Sequence, residues 1–492
     1  MKRTMALQTR LRAALALIRP TAAGLSLVAL SALVHLPTLD QPLLETQSFR
    51  QTHTAFNALI FHQNGIDLLR PQLPVFGPPF VLPIEFPIFQ ALASLVMGLG
   101  VAPDVAMRLT ALVCFLTTGI LVWRLLARVG GEAAGLAGLA AFLFSPLGLL
   151  VSRMSLIEYL ATASSLAFVL ASLEWHERGR RRWFVAAVAA GAMAMLIKPT
   201  TAFMYFVPVL ALGYSSWRQG RLPASGRPQY GLALGILLGL PVILGAAWTL
   251  YADGVRASYE ATAWFSAAGG LSAYYFGTLA QKLDPSTWFG LIEQAEGLLF
   301  GNAIWLWVLL AIAAAYAVRQ RLFAFALVLS GALGPLVFTN QYLVPGQEYY
   351  MAAISPFVAI VIGLGVGWLW RARHQSVSRV AMASLVVGWI VTLHLTQGYW
   401  GRQYAGVHDL DQLLPAAEFV AAHSRPDELV ALAGQDWNPA VFYYARREGF
   451  MIRGSAGPDD LARLRELGYR TLFYCPSGRG LPQPCDVSPI PE

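Results

Sequence analysis

Apolar residues run through this chain in long blocks rich in Leu, Ala, Val and Gly, without the apolar–polar alternation of barrel strands. A helix of about 20 such residues crosses the hydrocarbon core of a bilayer. On that measure the pattern predicts about eleven helical spans, at about 20–38, 105–123, 132–151, 156–173, 183–198, 201–216, 230–251, 300–318, 322–340, 350–370 and 380–398. Phe86–Gly100 is apolar too but short for a crossing. It reads as a re-entrant or interfacial helix, which leaves a large structured loop at about 39–104 between the first two spans.

The polar positions orient this bundle. With the N-terminus inside, cytoplasmic segments hold Lys2, Arg3, Arg10, Arg12, Arg19, Arg124, Arg128, Arg178, Arg180, Arg181, Arg182, Arg218, Arg221, Arg227, Arg319, Arg321, Arg371, Arg373 and Arg379. The other side, up to residue 398, holds only Arg50, Arg70, Arg108, Arg153, Lys198, Arg256 and Lys282. Basic residues concentrate in cytoplasmic loops, so the asymmetry predicts a cytoplasmic N-terminus and a periplasmic loop 39–104. Counting 86–100 as a span would invert every later loop. The basic N-terminus before the first apolar run is not followed by a convincing cleavage site, so it reads as an uncleaved first span.

Beyond residue 398 the character changes. Glu428-Leu-Val-Ala-Leu-Ala433 reads as a buried strand, and Asn438-Pro439 as the start of a helix. Asp459–Leu467 has helical spacing, Gly468 ends it, and Thr471–Tyr474 reads as a strand. The expected architecture is therefore an α-helical polytopic membrane domain, 1–398, plus a small C-terminal α/β periplasmic domain, 399–492. Only 13% of residues are charged and mean hydropathy is +0.54, which places the chain in lipid. The net charge of +8 is carried mostly by the inter-span arginines, so nucleic-acid binding is rejected. Of three cysteines, Cys114 lies in a span, while Cys475 and Cys485 share the C-terminal domain and are expected to form a disulfide in an oxidising compartment.

Candidate chemistry gathers on the periplasmic side. Glu45-Thr-Gln-Ser-Phe-Arg-Gln-Thr-His-Thr-Ala55 supplies Glu45, Arg50 and His53, and Pro83-Ile-Glu-Phe-Pro87 supplies Glu85. Arg153 and Glu158 lie between the third and fourth spans, and Lys198 ends the fifth. Singly, each has a bland reading as a solvated or snorkelling side chain. Four separate chain segments nevertheless deliver ionisable groups to one depth, where charge is costly unless it meets a partner or ligand. Carboxylates beside cations at a lipid boundary suit transfer of a sugar from a polyprenyl-phosphate carrier. Arg or Lys stabilises the departing phosphate, and a carboxylate takes the proton of the incoming hydroxyl. No phosphate-cradling Gly-rich motif in a strand-to-helix setting is present.

The first span and its loop, Glu85-Phe-Pro-Ile88, Glu158 in Ser-Leu-Ile-Glu-Tyr-Leu, and Lys198 after an apolar run resemble the membrane GT-C glycosyltransferases. The resemblance is to bacterial relatives of protein O-mannosyltransferases and of the lipid A aminoarabinose transferase. It covers about residues 20–200 well and the remaining spans by architecture. It implies a lipid-linked sugar donor and a catalytic cavity lined by acidic residues of the first two periplasmic loops. The chain departs from the family where Arg50-Gln51 stands in place of the usual Asp-Glu pair, and where Phe86 replaces a Lys of some relatives.

The reading is an inverting glycosyltransferase of the bacterial inner membrane that passes a sugar to a glycan, lipid or protein hydroxyl. Glu45 is the expected base with Glu158 the alternate. Arg50, His53, Arg153 and Lys198 are expected to bind the donor phosphate, and Glu85 to position a group or hold a divalent metal ion. Tyr and Trp side chains of 251–288 and 341–350 are candidates for a sugar pocket. The alternatives are a glycan ligase or polymerase using diphosphate-linked donors, and a transporter or flippase of lipid-linked glycans.

Overall fold

The computed structural model describes residues 20–221, 227–300, 308, 312, 322–344, 347–406, 413–452, 457–476 and 485–490. Four helices among them are long and apolar enough to cross a membrane: α1 (Pro20–Thr38), α4 (Pro103–Gly130), α10 (within Arg227–Ser258) and α13 (within Ser376–Tyr404). Between α1 and α4 lie α2 (Ser48–Asn64) and α3 (Ile88–Met97). At 1.5 Å per residue α3 is about 15 Å long, half of a hydrocarbon core, so the segment Phe86–Gly100 contains no crossing helix.

The expected spans differ in detail for local reasons. The block 132–151 is two helices, α5 (Glu132–Leu143) and α6 (Pro146–Val151). Pro146 forces Ser145 into an extended conformation, and the Ser145 hydroxyl then accepts a hydrogen bond from the Gly148 amide at 2.9 Å to cap α6. Helices α7 (Glu158–Arg178), α8 (Arg181–Ile197) and α9 (Pro199–Arg218) match the next three blocks. The block 322–340 holds α11 (Leu322–Ser330) and then breaks into the short helices Leu333–Val337 and Thr339–Leu343. The block 350–370 begins as a 3₁₀ turn, Glu348–Ala353, before α12 (Ser355–Arg371). The block 300–318 lies almost wholly outside the described residues.

Helix α5 sits between α4 and α12. Its small residues let backbones approach, as at membrane helix interfaces generally. A Cβ at Gly138 would meet Leu126 at 2.1 Å, and one at Gly363 of α12 would lie 2.6 Å from the Ala134 carbonyl. This tight bundle carries the loops that build the site.

The C-terminal unit comprises α14 (Leu413–Ala422), β1 (Val430–Ala433), α15 (Ala440–Ala445), β2 (Gly449–Ile452), α16 (Pro458–Glu466), β3 (Thr471–Tyr474) and β4 (Asp486–Pro489). The sheet order is β2-β1-β3-β4, with β1 parallel to β2 and β3, and β4 antiparallel to β3. All four residues of β1 are buried, which explains its unbroken apolar run. The Asn438 side chain accepts from the Ala440 amide at 3.0 Å, so Pro439 takes the cap position one residue later than expected. Cys475 and Cys485 are disulfide-bonded, and Cys114 is a buried free thiol.

This unit is welded to the 39–104 segment. The edge of β2 is covered by residues 74–77 through Gly449 N to Pro74 O (3.0 Å), Met451 N to Val75 O (2.8 Å) and Gly77 N to Gly449 O (2.9 Å). From α15, Tyr443 and Tyr444 donate to the two Asp104 carboxylate oxygens at 2.6 and 3.1 Å. One hydrophobic cluster runs from the bundle through Phe56 and Phe89 to Phe442 and Phe473.

Candidate functional site

Helix α2 is the first wall. Its polar residues anchor it: the Gln51 side chain accepts from the Ser155 amide at 3.0 Å, and Asn57 donates to the Gln72 carbonyl at 2.9 Å. Arg50 and His53, one turn apart, share a face. The second wall is the strap 83–87, gripped by α10 and α8. Arg256 donates to the Pro83 carbonyl (2.6 Å), Trp248 to the Ile84 carbonyl (3.3 Å), and the Phe86 amide to the Leu196 carbonyl (3.3 Å). The Phe86 ring meets Trp248 edge-on, with centroids 4.9 Å apart. This grip presents Glu85, whose carboxylate accepts from Gln90 at 3.0 Å and lies 3.6 Å from the Arg50 guanidinium.

Glu158 opens α7, where the helix N-terminus favours a carboxylate. Lys198 sits in extended backbone between α8 and α9 and donates to Glu158. Its ammonium also lies 4.5 Å from the centre of the Tyr350 ring. Together these elements enclose a cavity of about 410 Å³ whose lining includes Arg50, Glu85, Lys198, Arg256, Tyr275 and Tyr350.

The electrostatics single out Arg50. Burial opposes its charge, but Glu85 beside it holds the guanidinium above its ordinary pKa. Its Nε, like that of Arg256, is buried without a hydrogen-bond partner among the described residues. The other two cations are better matched: Lys198 by Glu158, and Arg256 by Asp253 at 3.1 Å. For Glu85, burial works upward, and Arg50 and His53 outweigh it, so the carboxyl stays below its usual range and ionised at neutral pH.

Of the residues expected from sequence, the structure brings together Arg50, His53, Glu85, Glu158 and Lys198. It sets Glu45 and Arg153 apart in a different knot. The Glu45 carboxylate accepts from Arg108 through both oxygens, at 2.6 and 2.8 Å. Arg108 directs its remaining donors to the carbonyls of Gln41 (3.0 Å), Pro42 (2.6 Å) and Arg153 (2.8 Å). Arg153 lies 3.7 Å from Glu45, donates to the Gln41 side chain and stands over the Tyr404 ring. Both side chains are buried away from the cavity lining, so Glu45 is poorly placed for a base and Arg153 for a phosphate ligand.

His53 differs from expectation in another way. Burial, with Arg50 beside it, pushes its imidazole down to about 4, so it is neutral at physiological pH and ill suited to hold a phosphate by charge. Among the described residues no group of three or more His, Cys, Asp or Glu side chains converges. Each carboxylate of the site already faces a cation, so this donor set does not suit a divalent metal ion. Arg256, Asp253 and Trp248 were missed as site residues. Arg256 stood among the basic residues of the less basic side, and that shared side was its only signal in the sequence.

Comparison with known proteins follows the same line. Residues 83–245 match the family model described as dolichyl-phosphate-mannose-protein mannosyltransferase. ArnT from Cupriavidus metallidurans in the apo state is similar in fold, with a TM-score of 0.60 at 15% identity over 93% of each chain. The same protein bound to undecaprenyl phosphate gives 0.59 at 12% identity, over 95% of this chain and 97% of that one. The Archaeoglobus fulgidus oligosaccharyltransferase AglB, in complex with an inhibitory peptide and a dolichol-phosphate, gives 0.56 at 12% identity, over 92% of this chain and 69% of that one. No curated protein matches the chain. These likenesses show the GT-C fold, and with the apolar helices they make the chain a multi-pass membrane protein.

Proposed function

We propose that this GT-C-fold protein is an inverting glycosyltransferase that takes a sugar from a polyprenyl-phosphate donor at the periplasmic face of the inner membrane. It passes the sugar to a hydroxyl of a glycan, lipid or protein. One observation carries the reading: in the cavity of about 410 Å³, the Arg50 guanidinium, whose ion contact with Glu85 is 3.6 Å long, stands beside the Glu85 carboxylate and the Lys198 ammonium. The likeness to a fold seen with undecaprenyl phosphate and with dolichol-phosphate supports the same donor class.

In the proposed step the acceptor oxygen attacks the anomeric carbon from the face opposite the phosphate. The bond from that carbon to the phosphate oxygen breaks, and polyprenyl phosphate leaves with the electron pair. Arg50 and Lys198 stabilise the charge it gathers. The acceptor proton goes to Glu85, which lines the cavity beside Arg50, while the other carboxylate of the lining, Asp253, is held by Arg256 and the Ala267 amide. Glu158 acts through Lys198, holding the ammonium in place, and Arg256 with Trp248 holds the strap that aims Glu85. Glu45 becomes a structural residue in this scheme. Lys198 and Arg256 meet their carboxylates at hydrogen-bonding distance while Arg50 meets Glu85 only at 3.6 Å, so Arg50 is the cation most open to a phosphate oxygen, and a monophosphate asks less of this set than the diphosphate of a ligase or polymerase.

The test is turnover of a polyprenyl-phosphate sugar by purified Glu85→Gln protein. Turnover should fall by about 10²–10⁴-fold with donor binding retained. Wild-type turnover in Glu85→Gln, with loss in Glu158→Gln instead, would move the base to Glu158.

A further inference from the structure

Between residues 72–82, residues 259–265 and the C-terminal unit runs a crevice of about 110 Å³. Its outer rim carries the ion pair of Glu260 with Arg463, at 3.1 Å. A separate pocket of about 10 Å³ adjoins it through the shared Leu73, Phe76, Leu82 and Thr262, forms its inner end, and is walled by Phe76, Trp264, Phe265, Trp437 and His53. The rings form a connected set. Phe76 and Trp264 have centroids 6.3 Å apart, and Trp437 lies 6.0 Å from both Trp264 and Phe265. None of these four rings is fully buried. Ile84 lines both this inner end and the large cavity, and His53 stands one helical turn from Arg50, so the crevice reaches the back of the proposed site.

His53 decides what the crevice can hold. Its Nδ1 is buried with no hydrogen-bond partner among the described residues. A buried polar atom left unpaired is unfavourable, and one that lines a crevice can be satisfied by a ligand that enters it. With the imidazole neutral, a neutral donor or acceptor suits it better than a charged group, and a hydroxyl, which can be either, fits both tautomers. The surrounding rings ask for a flat apolar face. A sugar ring offers both, C–H bonds on one face and hydroxyls at its edge.

We infer that this crevice is the acceptor subsite and that the acceptor presents a sugar ring, stacked on Trp264 and Trp437 with a hydroxyl on His53. The inference rests on the transfer reaction proposed above and narrows its acceptor from glycan, lipid or protein to a glycan. The narrow inner end requires an aromatic side chain to swing aside as the ring enters.

Saturation-transfer NMR on the full chain in nanodiscs tests this, with maltotriose, chitotriose and a short Ser/Thr peptide as probes. Undecaprenyl phosphate binding is measured on the same samples. An oligosaccharide should show ring-proton saturation that falls about 3–10-fold in Trp264→Leu and Trp437→Leu and persists in Trp437→Phe. Undecaprenyl phosphate binding should be unchanged in all three, which also reports that they fold. Saturation of the peptide alone, no saturation of either sugar, or sugar signals indifferent to both Leu variants overturns the acceptor assignment while leaving the donor reading standing. Trp-dependent sugar binding in a protein that ignores undecaprenyl phosphate keeps the crevice as a sugar site and removes the donor reading instead.

Discussion

Replacing Glu45 by Gln separates a structural carboxylate from a catalytic one. In the native protein Arg108 is fully buried and spends its donors on both Glu45 oxygens and three backbone carbonyls. Gln keeps one acceptor for the guanidinium, but its amide NH₂ then faces the nitrogen that lay 2.8 Å from the second oxygen, donor against donor. The Arg108 charge is left uncompensated in a dry site, and Arg153 loses the carboxylate 3.7 Å away. Breaking a buried pair from one side costs about 3–5 kcal/mol, so Glu45→Gln should lower the unfolding free energy by that amount. The assay is unfolding in detergent, alongside turnover by the fraction that remains folded, which should stay near wild type. Combining it with Arg108→Met should recover part of the loss, since no unpaired charge then remains. Wild-type stability together with a 100-fold loss of turnover would refute this and return Glu45 to the role of base. Acid gives an independent check. Burial pushes the Glu45 carboxyl up, and Arg108 and Arg153 pull it further down, leaving it below its ordinary value near 4.5. A lowered folded-state pKa contributes stability fully above the ordinary value and loses it as pH falls through the folded one, so stability should decline below about pH 4.5, less so in Glu45→Gln.

Lys198→Ala should weaken undecaprenyl phosphate binding by about 10–100-fold, the worth of one charge-assisted hydrogen bond, and Arg50→Ala should do the same; unchanged titration curves would place the phosphate elsewhere. Cys475→Ser with Cys485→Ser should destabilise the C-terminal unit by about 2–3 kcal/mol, read by proteolysis of the unit in otherwise folded protein. For topology, thiol reagents applied from outside should label Cys placed at the exposed Asp427 and Gln63 but not at Arg180; labelling at position 180 would reverse the orientation.

What could be read before folding was whatever repeats or punctuates. Long apolar blocks and the arginines between them marked the helices, and Val430–Ala433 and Thr471–Tyr474 announced themselves as short apolar strands. Breaks inside blocks were legible only in part. Pro146 splits α5 from α6, yet a proline in a membrane span is often tolerated, and Pro208 and Pro241 lie inside unbroken helices. Hydropathy alone cannot separate the two cases, because the outcome depends on whether Ser145 can cap a new helix.

The site shows a sharper limit. Sequence reveals which residues carry charge and on which side of the membrane, but not which charges cancel. Glu45 looked like the base because it is acidic and close to Arg50 in sequence. Its partner Arg108 lies 63 residues away in α4, and the sequence marks it only as one of the cations of the less basic side. Once that pair is removed from consideration, the carboxylates on the cavity wall are Glu85 and Asp253, Asp253 is held by Arg256 at 3.1 Å, and the longest ion contact is that of Arg50 with Glu85 at 3.6 Å. The residues that aim Glu85 were harder still. Arg256 and Trp248 act on backbone carbonyls of the strap, a contact that leaves no trace in side-chain chemistry along the chain. The same holds for Trp437 and Trp264, brought together by the docking of β2 onto residues 74–77. Chemistry in this protein is therefore set by pairings between distant segments. Arg108 neutralises one carboxylate of the 39–104 segment, and Arg256 grips the strap that presents the other to the cavity.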